Sequence, residues 1–245
     1  MKPLAIDLFC GLGGWTEGLL AEGYDVIGFD IERHQYGDEK YPAHLVIQDV
    51  LTLHGSQFRS AALIVASPPC QEFSYMAMPW SIAKEKQRRI EADPEERKRL
   101  TALFDACFRI QREACEAAGN HIPMVVENVR GAQKWVGRSR WNFGSFHLWG
   151  DVPALMPMAV AIKNNGGSWF AIANNTKSGH SRNPVHELAG LKLKDGDGYE
   201  RSHPNAFGWK CPRTTSKGHA RRAASAMIAK IPLPLSTYIA RVYRP

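Results

Sequence analysis

Short apolar runs, each closed by a glycine, a proline or an acidic residue, alternate with longer polar stretches through the first half of this 245-residue chain. The first run, Leu4 to Phe9, opens into Gly11, Gly13 and Gly14. The spacing then predicts a helix from Thr16 to Ala21, ended by Gly23. Val26 to Phe29 reads as a second strand stopping at Asp30, Leu45 to Ile47 as a third stopping before Asp49, and Ala62 to Ala66 as a fourth. Asp93-Pro94 carries the signature of an N-cap followed by a first-turn proline. Behind it Leu100, Leu103, Phe104, Cys107, Ile110, Ala114 and Cys115 keep helical spacing to about Ala118, with Gly119 as the stop. A fifth strand, Met124 to Val126, ends at Glu127. Strands alternating with helices predict an α/β fold with a doubly wound, mostly parallel sheet.

The pattern changes after residue 150. Residues 151 to about 220 are rich in Gly, Asn, Ser and Pro ("NNGGSWF", "NNTKSGHSRNP") and show little periodicity, which predicts a small, irregular, loop-rich region. The stretch "RRAASAMIAKIPLPLSTYIARVY" then reads as a helix, a proline break and a second helix. No internal repeat is visible.

Composition adds limits. With 44% hydrophobic residues the chain can bury one sizeable core. No apolar run approaches the length of a membrane helix, and "MKPLAIDLFCGLGG" does not read as a secretory signal. The five cysteines, 10, 70, 107, 115 and 211, are odd in number and contain no C-x-x-C pair. That argues against a disulfide framework and against a zinc site, so no metal is expected, and reduced thiols in a cytoplasm are. Cys107 and Cys115 fall on the core face of the long helix and are assigned no chemistry.

Charge is unevenly placed. The chain carries +7 overall, yet no acidic residue follows Glu200, and residues 201–245 hold nine lysines and arginines. A near-neutral body with a basic final fifth predicts a polyanionic partner. Phe207, Trp209, Ile228, Ile231, Tyr238 and Ile239 run through that segment and argue against a merely disordered tail.

Candidate chemistry gathers at the ends of the strands. In "ASPPCQEFS", residues 66–74, two prolines stiffen the exit from a buried strand and present Cys70 at its carboxyl end, where open α/β sheets bind their ligands. A glycine turn after the first strand suits a nucleotide-type cofactor. Asp30, about twenty residues on, can take a ribose hydroxyl pair, and Asp49 is a plausible acceptor for an adenine amino group.

Taken in order, "DLFCGLGG", "SPPCQEFS", "VVENVR" and the Arg-x-Arg of "GRSR" resemble the DNA cytosine-5 methyltransferases. The resemblance covers residues 1 to about 150 well and 225–240 loosely. It implies a Rossmann-like domain formed by residues 1–150 and 221–245, with 151–220 as a small target-recognition region. It also implies S-adenosyl-L-methionine as cofactor and double-stranded DNA as partner, with the protein a monomer acting in the cytoplasm of a bacterium or, as a viral protein, in a bacterial host. By the resemblance, Cys70 is the nucleophile that adds to cytosine C6 and Glu127 the partner of N3. Arg138 or Arg140 supports the base and the nucleophile's loop. Phe9, Gly11, Leu12, Gly13, Gly14, Asp30, Ile31, Asp49, Val50 and Pro69 line the cofactor and base pockets. Gln71, Ser74, Lys177, Arg182, Lys217, Arg221 and Arg222 are expected to contact nucleic acid. The family's Gln-x-Arg-x-Arg appears here as "VGRSR", with Gln133 the nearest glutamine. Three other readings remain at this point: a cytosine-5 methyltransferase acting on tRNA, a catalytically idle DNA-binding member, and transfer of a modified group other than methyl from an altered cofactor.

Overall fold

The computed structural model describes residues 2–73, 80–156, 200–201, 209–210, 222, 226 and 229–245. The chain divides into two compact units. One comprises Met1–Gln35, Lys40–Val160 and Ile231–Pro245, the other Tyr36–Glu39 and Ala161–Lys230. The architecture below is that of the first.

In chain order the strands are β1 (Leu4–Leu8), β2 (Asp25–Asp30), the two-residue β3 (Gln35–Tyr36) and β4 (Glu39–Lys40), whose Tyr36 and Glu39 fall in the second unit, β5 (His44–Ile47), β6 (Ala61–Ala66), β7 (Met124–Asn128), β8 (Trp141–Phe143) and β9 (Phe146–Gly150). Its helices are α1 (Gly14–Ala21), α2 (Trp80–Ala92), α3 (Pro94–Ala118), α4 (Gln133–Val136) and, from the C-terminal segment, α5 (Leu233–Val242). Seven strands form one sheet in the order β5-β2-β1-β6-β7-β9-β8. The first five are parallel, and β9 and β8 add an antiparallel edge. The fold is therefore the expected mostly parallel α/β sheet.

The strand order explains where a site can form. From β1 the chain winds outward through α1 to β2 and β5, then crosses back to β6 on the other side of β1. Leu8 at the end of β1 lies opposite both Phe29 and Ala66. The turns after β1 and β6 thus leave the sheet side by side, diverging at the switch point where doubly wound sheets open a crevice.

Packing holds these ends still. The buried strand residues Ile6, Leu8, Ile64, Ala66, Met124 and Val126 join Phe104, Cys107 and Ile110 of α3 in one core. Asp93 caps α3 by accepting from the N–H groups of Glu95 and Glu96, and Gly119 ends it in the left-handed region at φ 70°, as the sequence predicts. α5 packs on α1 so closely that a Cβ on Gly18 would lie 2.4 Å from the Ser236–Thr237 backbone. Tyr24 adds a hydrogen bond to Ala240 O at 2.9 Å, and Arg241 pairs with Glu22 at 2.7 Å. One arginine of the basic final fifth is thereby engaged within the fold. No described helix is long and apolar enough to cross a membrane.

Candidate active site

At the end of β1 the backbone turns sharply. Phe9 takes φ 57°, alone in positive φ among the described non-glycine residues. Such geometry costs on the order of 1–3 kcal/mol and persists only where the surroundings impose it. Gly13, at φ 80°, closes the turn by donating its N–H to Cys10 O at 2.7 Å. A Cβ there would also fall 2.5 Å from Pro42 Cδ, so only glycine fits. Gly11 differs: among the described residues a Cβ would meet nothing within 4 Å. There its backbone forms a cradle that a ligand can approach directly. Leu12 and Gly14 are buried behind it.

Asp30 closes the cradle from the end of β2. Its Oδ2 accepts from Gly11 N–H at 2.9 Å, and its Oδ1 lies 3.4 Å from His34 Nε2. Burial opposes ionisation, but the bonds from His34 and Gly11 outweigh it and hold the carboxyl below its ordinary range. The result is an anionic acceptor beside an open glycine turn, with Ile31 next to it 69% exposed. This donor and acceptor set fits a cofactor bearing a ribose. Asp49 caps the turn after β5 through a bond from Leu51 N–H at 2.9 Å, and Val50 beside it is buried.

Beneath the turn lies a wholly buried carboxyl. Asp7 Oδ2 accepts from Thr16 Oγ at 2.6 Å, and the Thr16 hydroxyl also meets Tyr41 OH at 2.7 Å. Among the described residues Asp7 Oδ1 has no hydrogen-bond partner. Burial pushes this carboxyl up to about 7, the Asp30 charge adding to the shift and the Thr16 bond opposing it.

The turn after β6 carries the cysteine. Ser67 N–H donates to Leu8 O at 3.1 Å, and Phe73 N–H donates to Cys70 O at 3.0 Å. Pro68 is buried, Pro69 and Gln71 are exposed, and Cys70 is half-buried. Three contacts fix this turn. Asn128 Nδ2 donates to Pro68 O at 2.8 Å. Phe73 is buried, and its carbonyl oxygen sits 2.1 Å from where a Cβ of Gly131 would be. Lys86 of α2 reaches the Glu72 carboxylate and bonds Glu72 O at 3.2 Å. The other described thiols differ. Burial pushes Cys10 and Cys107 far up, and Cys115 Sγ accepts from Ile122 N–H at 3.2 Å. Cys211 lies outside the described residues.

β7 runs beside β6 and ends in Glu127 and Asn128, both buried. The neighbouring loop from Gly137 to Arg140 is tied down by side chains. Gln133 Oε1 accepts from the N–H and the hydroxyl of Ser139, both at 3.2 Å. Ser139 Oγ meets His147 Nδ1 at 2.9 Å. Burial and the Arg130 charge lower the proton affinity of His147. Arg138 and Arg140 are both exposed. Arg140 N–H joins the sheet edge through Leu148 O at 2.8 Å, and its charge acts on the Tyr243 hydroxyl, opposing the upward shift that burial and Asp151 impose there.

The structure thus gathers the residues named after β1, β2, β5, β6 and β7 at the carboxyl ends of one parallel sheet. Of the expected nucleic-acid contacts, Gln71 and Arg222 are exposed, while Ser74, Lys177, Arg182, Lys217 and Arg221 lie outside the described residues. Sequence reasoning gave no role to Asn128, though it stands in the quoted "VVENVR", and named Gln133 only as the nearest glutamine to "VGRSR". Gly131, Lys86, Ser139 and His147 carried no local signal. Among the described residues no cluster of three or more His, Cys, Asp or Glu side chains could hold a metal ion.

A family model described as C-5 cytosine-specific DNA methylase matches residues 4–133, just over half of the chain. No curated protein sequence matches it. Among solved structures, it is similar to a candidate DNA modification methyltransferase encoded within an E. coli prophage, with 23% identity over 56% of this chain and 35% of that one, at a TM-score of 0.35. It is also similar to the S. pombe Dnmt2 methyltransferase, with 16% identity over 56% of this chain and 37% of that one, at 0.34. The Entamoeba histolytica methyltransferase EhMeth gives 19% identity over 56% and 41%, at 0.35. The matched part of this chain thus spans well under half the length of these structures.

Proposed function

Because the chain belongs to the C-5 cytosine-specific DNA methylase family, we propose that it transfers a methyl group from S-adenosylmethionine to C5 of cytosine in double-stranded DNA, through a covalent bond between Cys70 and C6. The observation that carries this reading is the lock between Asn128 and Pro68. It ties the cysteine's turn to the strand that ends in Glu127, so nucleophile and carboxyl are held by one rigid junction.

The chemistry calls for this pairing. Cytosine C5 is a poor nucleophile until a group adds to C6. A cysteine suits the task because its thiolate is accessible near neutral pH and strongly nucleophilic. Cys70 adds to C6, Glu127 holds the proton at or near N3 and reads the exocyclic amine, and the arginine at 138 or 140 holds O2. With C6 substituted, C5 has enamine character. S-adenosylmethionine, when bound, supplies an electrophilic methyl group on its sulfonium. Loss of the C5 proton then lets the Cys70 thiolate leave. The turn from Phe9 to Gly14 and the end of β2 hold the cofactor: Gly11 offers open backbone, Asp30 takes ribose hydroxyls, Asp49 takes the adenine amine, and Ile31 and Val50 flank the ring. Pro69 walls the base pocket.

A duplex hides C5 and C6, so the target base must leave the stack at a cost of about a few kcal/mol. Phosphate contacts from Lys177, Arg182, Lys217, Arg221 and Arg222 offset that cost, with Gln71 and Ser74 beside the flipped base and residues 151–220 as the recognition region. The test is transfer of labelled methyl from S-adenosylmethionine to duplex DNA and, separately, to tRNA, followed by nucleoside analysis. Label in 5-methyldeoxycytidine supports the reading. Label confined to tRNA, or to an exocyclic amine, overturns it.

A further inference from the structure

One hydrogen bond joins the two turns of the site. Trp15 Nε1 donates to Ser67 Oγ at 2.9 Å, across 52 residues of sequence. Trp15 is the second residue of α1, directly after Gly13 and Gly14. Its indole is 2% exposed and its one polar atom is spent on this bond. Ser67 is anchored in turn through its N–H to Leu8 O. Two prolines follow it, and their fixed φ angles make Ser67 to Pro69 a stiff lead to Cys70. A displacement at Ser67 is therefore passed to the cysteine rather than absorbed. The turns leave adjacent strands whose last residues, Leu8 and Ala66, are in register, so the indole adds a side-chain tie beside the backbone bond from Ser67 to Leu8. If either turn shifted alone, a buried donor would lose its partner.

We propose that Trp15 is a positioning residue that couples occupancy of the glycine turn to the placement of Cys70. This rests on the reading above, in which that turn holds the cofactor and Cys70 is the nucleophile. A ligand that orders the Gly11–Gly14 backbone fixes the start of α1, and Trp15 carries that order through Ser67 to the thiol. Linkage makes the effect reciprocal: restraint of the Cys70 turn tightens ligand binding by the same factor.

The test uses the whole chain, S-adenosylhomocysteine as ligand and iodoacetamide as thiol probe, with alkylation of Cys70 followed by peptide mapping. In the wild type, saturating ligand slows Cys70 alkylation by about fivefold or more, the low end of coupling between linked sites. In Ser67→Ala and in Trp15→Phe the ratio falls towards one, and the double variant behaves as either single does. Ser67→Ala removes only an acceptor from a half-buried site, so it decides the matter if Trp15→Phe fails to fold. A folded Ser67→Ala protein that keeps the wild-type ratio overturns the proposal, as does a wild type that binds the ligand without any change at Cys70. A wild type that neither binds the ligand nor alkylates at Cys70 overturns the underlying assignment of the site, and the coupling with it.

Discussion

Asn128 donates its side-chain N–H to the carbonyl oxygen of Pro68 at 2.8 Å while its own Oδ1 accepts from Val129 N–H at the same distance. Both functional ends of this buried amide are therefore used, one on the nucleophile's turn and one on its own strand end. Asn128→Ala leaves Pro68 O without its partner, a loss of about 1–3 kcal/mol in stability. We expect kcat to fall by more than cofactor affinity, because the contact acts on the cysteine's turn. Asn128→Asp, which cannot donate, should be at least as damaging. Thermal melts and steady-state kinetics on both variants check this, and unchanged kcat in a folded Asn128→Ala protein contradicts it.

Gly131 tests the other side of the same turn. A methyl group there would sit 2.1 Å from Phe73 O, with backbone rather than a flexible side chain in the way. Gly131→Ala should cost about 1–3 kcal/mol as an overpacked position and displace the segment from Cys70 to Phe73. A melting temperature and turnover both equal to wild type would show that the two backbones do not meet so closely.

Glu127→Gln keeps the shape of a buried side chain and removes its acid–base function. A positioned acid or base contributes roughly 10²–10⁴ in rate, so kcat should drop within that range with the fold retained. Wild-type turnover at saturating DNA contradicts the role given to Glu127.

Asp7 predicts a pH dependence of stability. The folded chain holds its proton up to about pH 7, whereas an unfolded chain releases it near the ordinary value of about 4. The folded state binds more protons in that interval, so this group's contribution is full below about pH 4. It declines by up to about 1.4 kcal/mol per pH unit as pH rises, and is gone above about pH 7. Asp7→Asn removes the dependence. Relative to wild type, the variant should gain stability between pH 5 and pH 8, read as melting temperatures at both. Parallel changes in the two proteins would show that Asp7 titrates normally.

Much of this architecture could be read from the chain because most of its parallel strands, the edge strand β5 excepted, are buried and bounded. Runs such as Ala62 to Ala66 are nearly all apolar, as a strand covered on both faces must be, and end at residues that break the run. The α3 helix announces itself through its capping aspartate, its proline and its final glycine. α2 does not: Ala83 and Ile90 are buried while Ile82 is 56% exposed, and charge hides its period. The β8–β9 hairpin was missed for another reason. Phe146 to Trp149 of β9, which lies between β7 and β8, are all buried and show no alternation, and the two-residue Gly144-Ser145 turn was the available signal. In the site, positions such as Gly13 and Asp30 follow from strand ends. The ties of Trp15 to Ser67 and of Lys86 to Glu72 join residues distant in sequence, and no local pattern encodes them.

The measurement that bears most directly on the proposed mechanism is covalent trapping on duplex DNA carrying 5-fluorocytosine at a target site. The Cys70 thiolate can still add to C6 and C5 can still be methylated. Fluorine cannot depart as the C5 proton does, so the thiolate is not released and protein and DNA remain joined. The account predicts a band of slowed mobility on a denaturing gel, formed only with S-adenosylmethionine present, absent in Cys70→Ser, and mapping to the Cys70 peptide. No cofactor-dependent band on DNA that the protein otherwise methylates would contradict the covalent mechanism, and an adduct mapped to Cys10, Cys107, Cys115 or Cys211 would contradict the site.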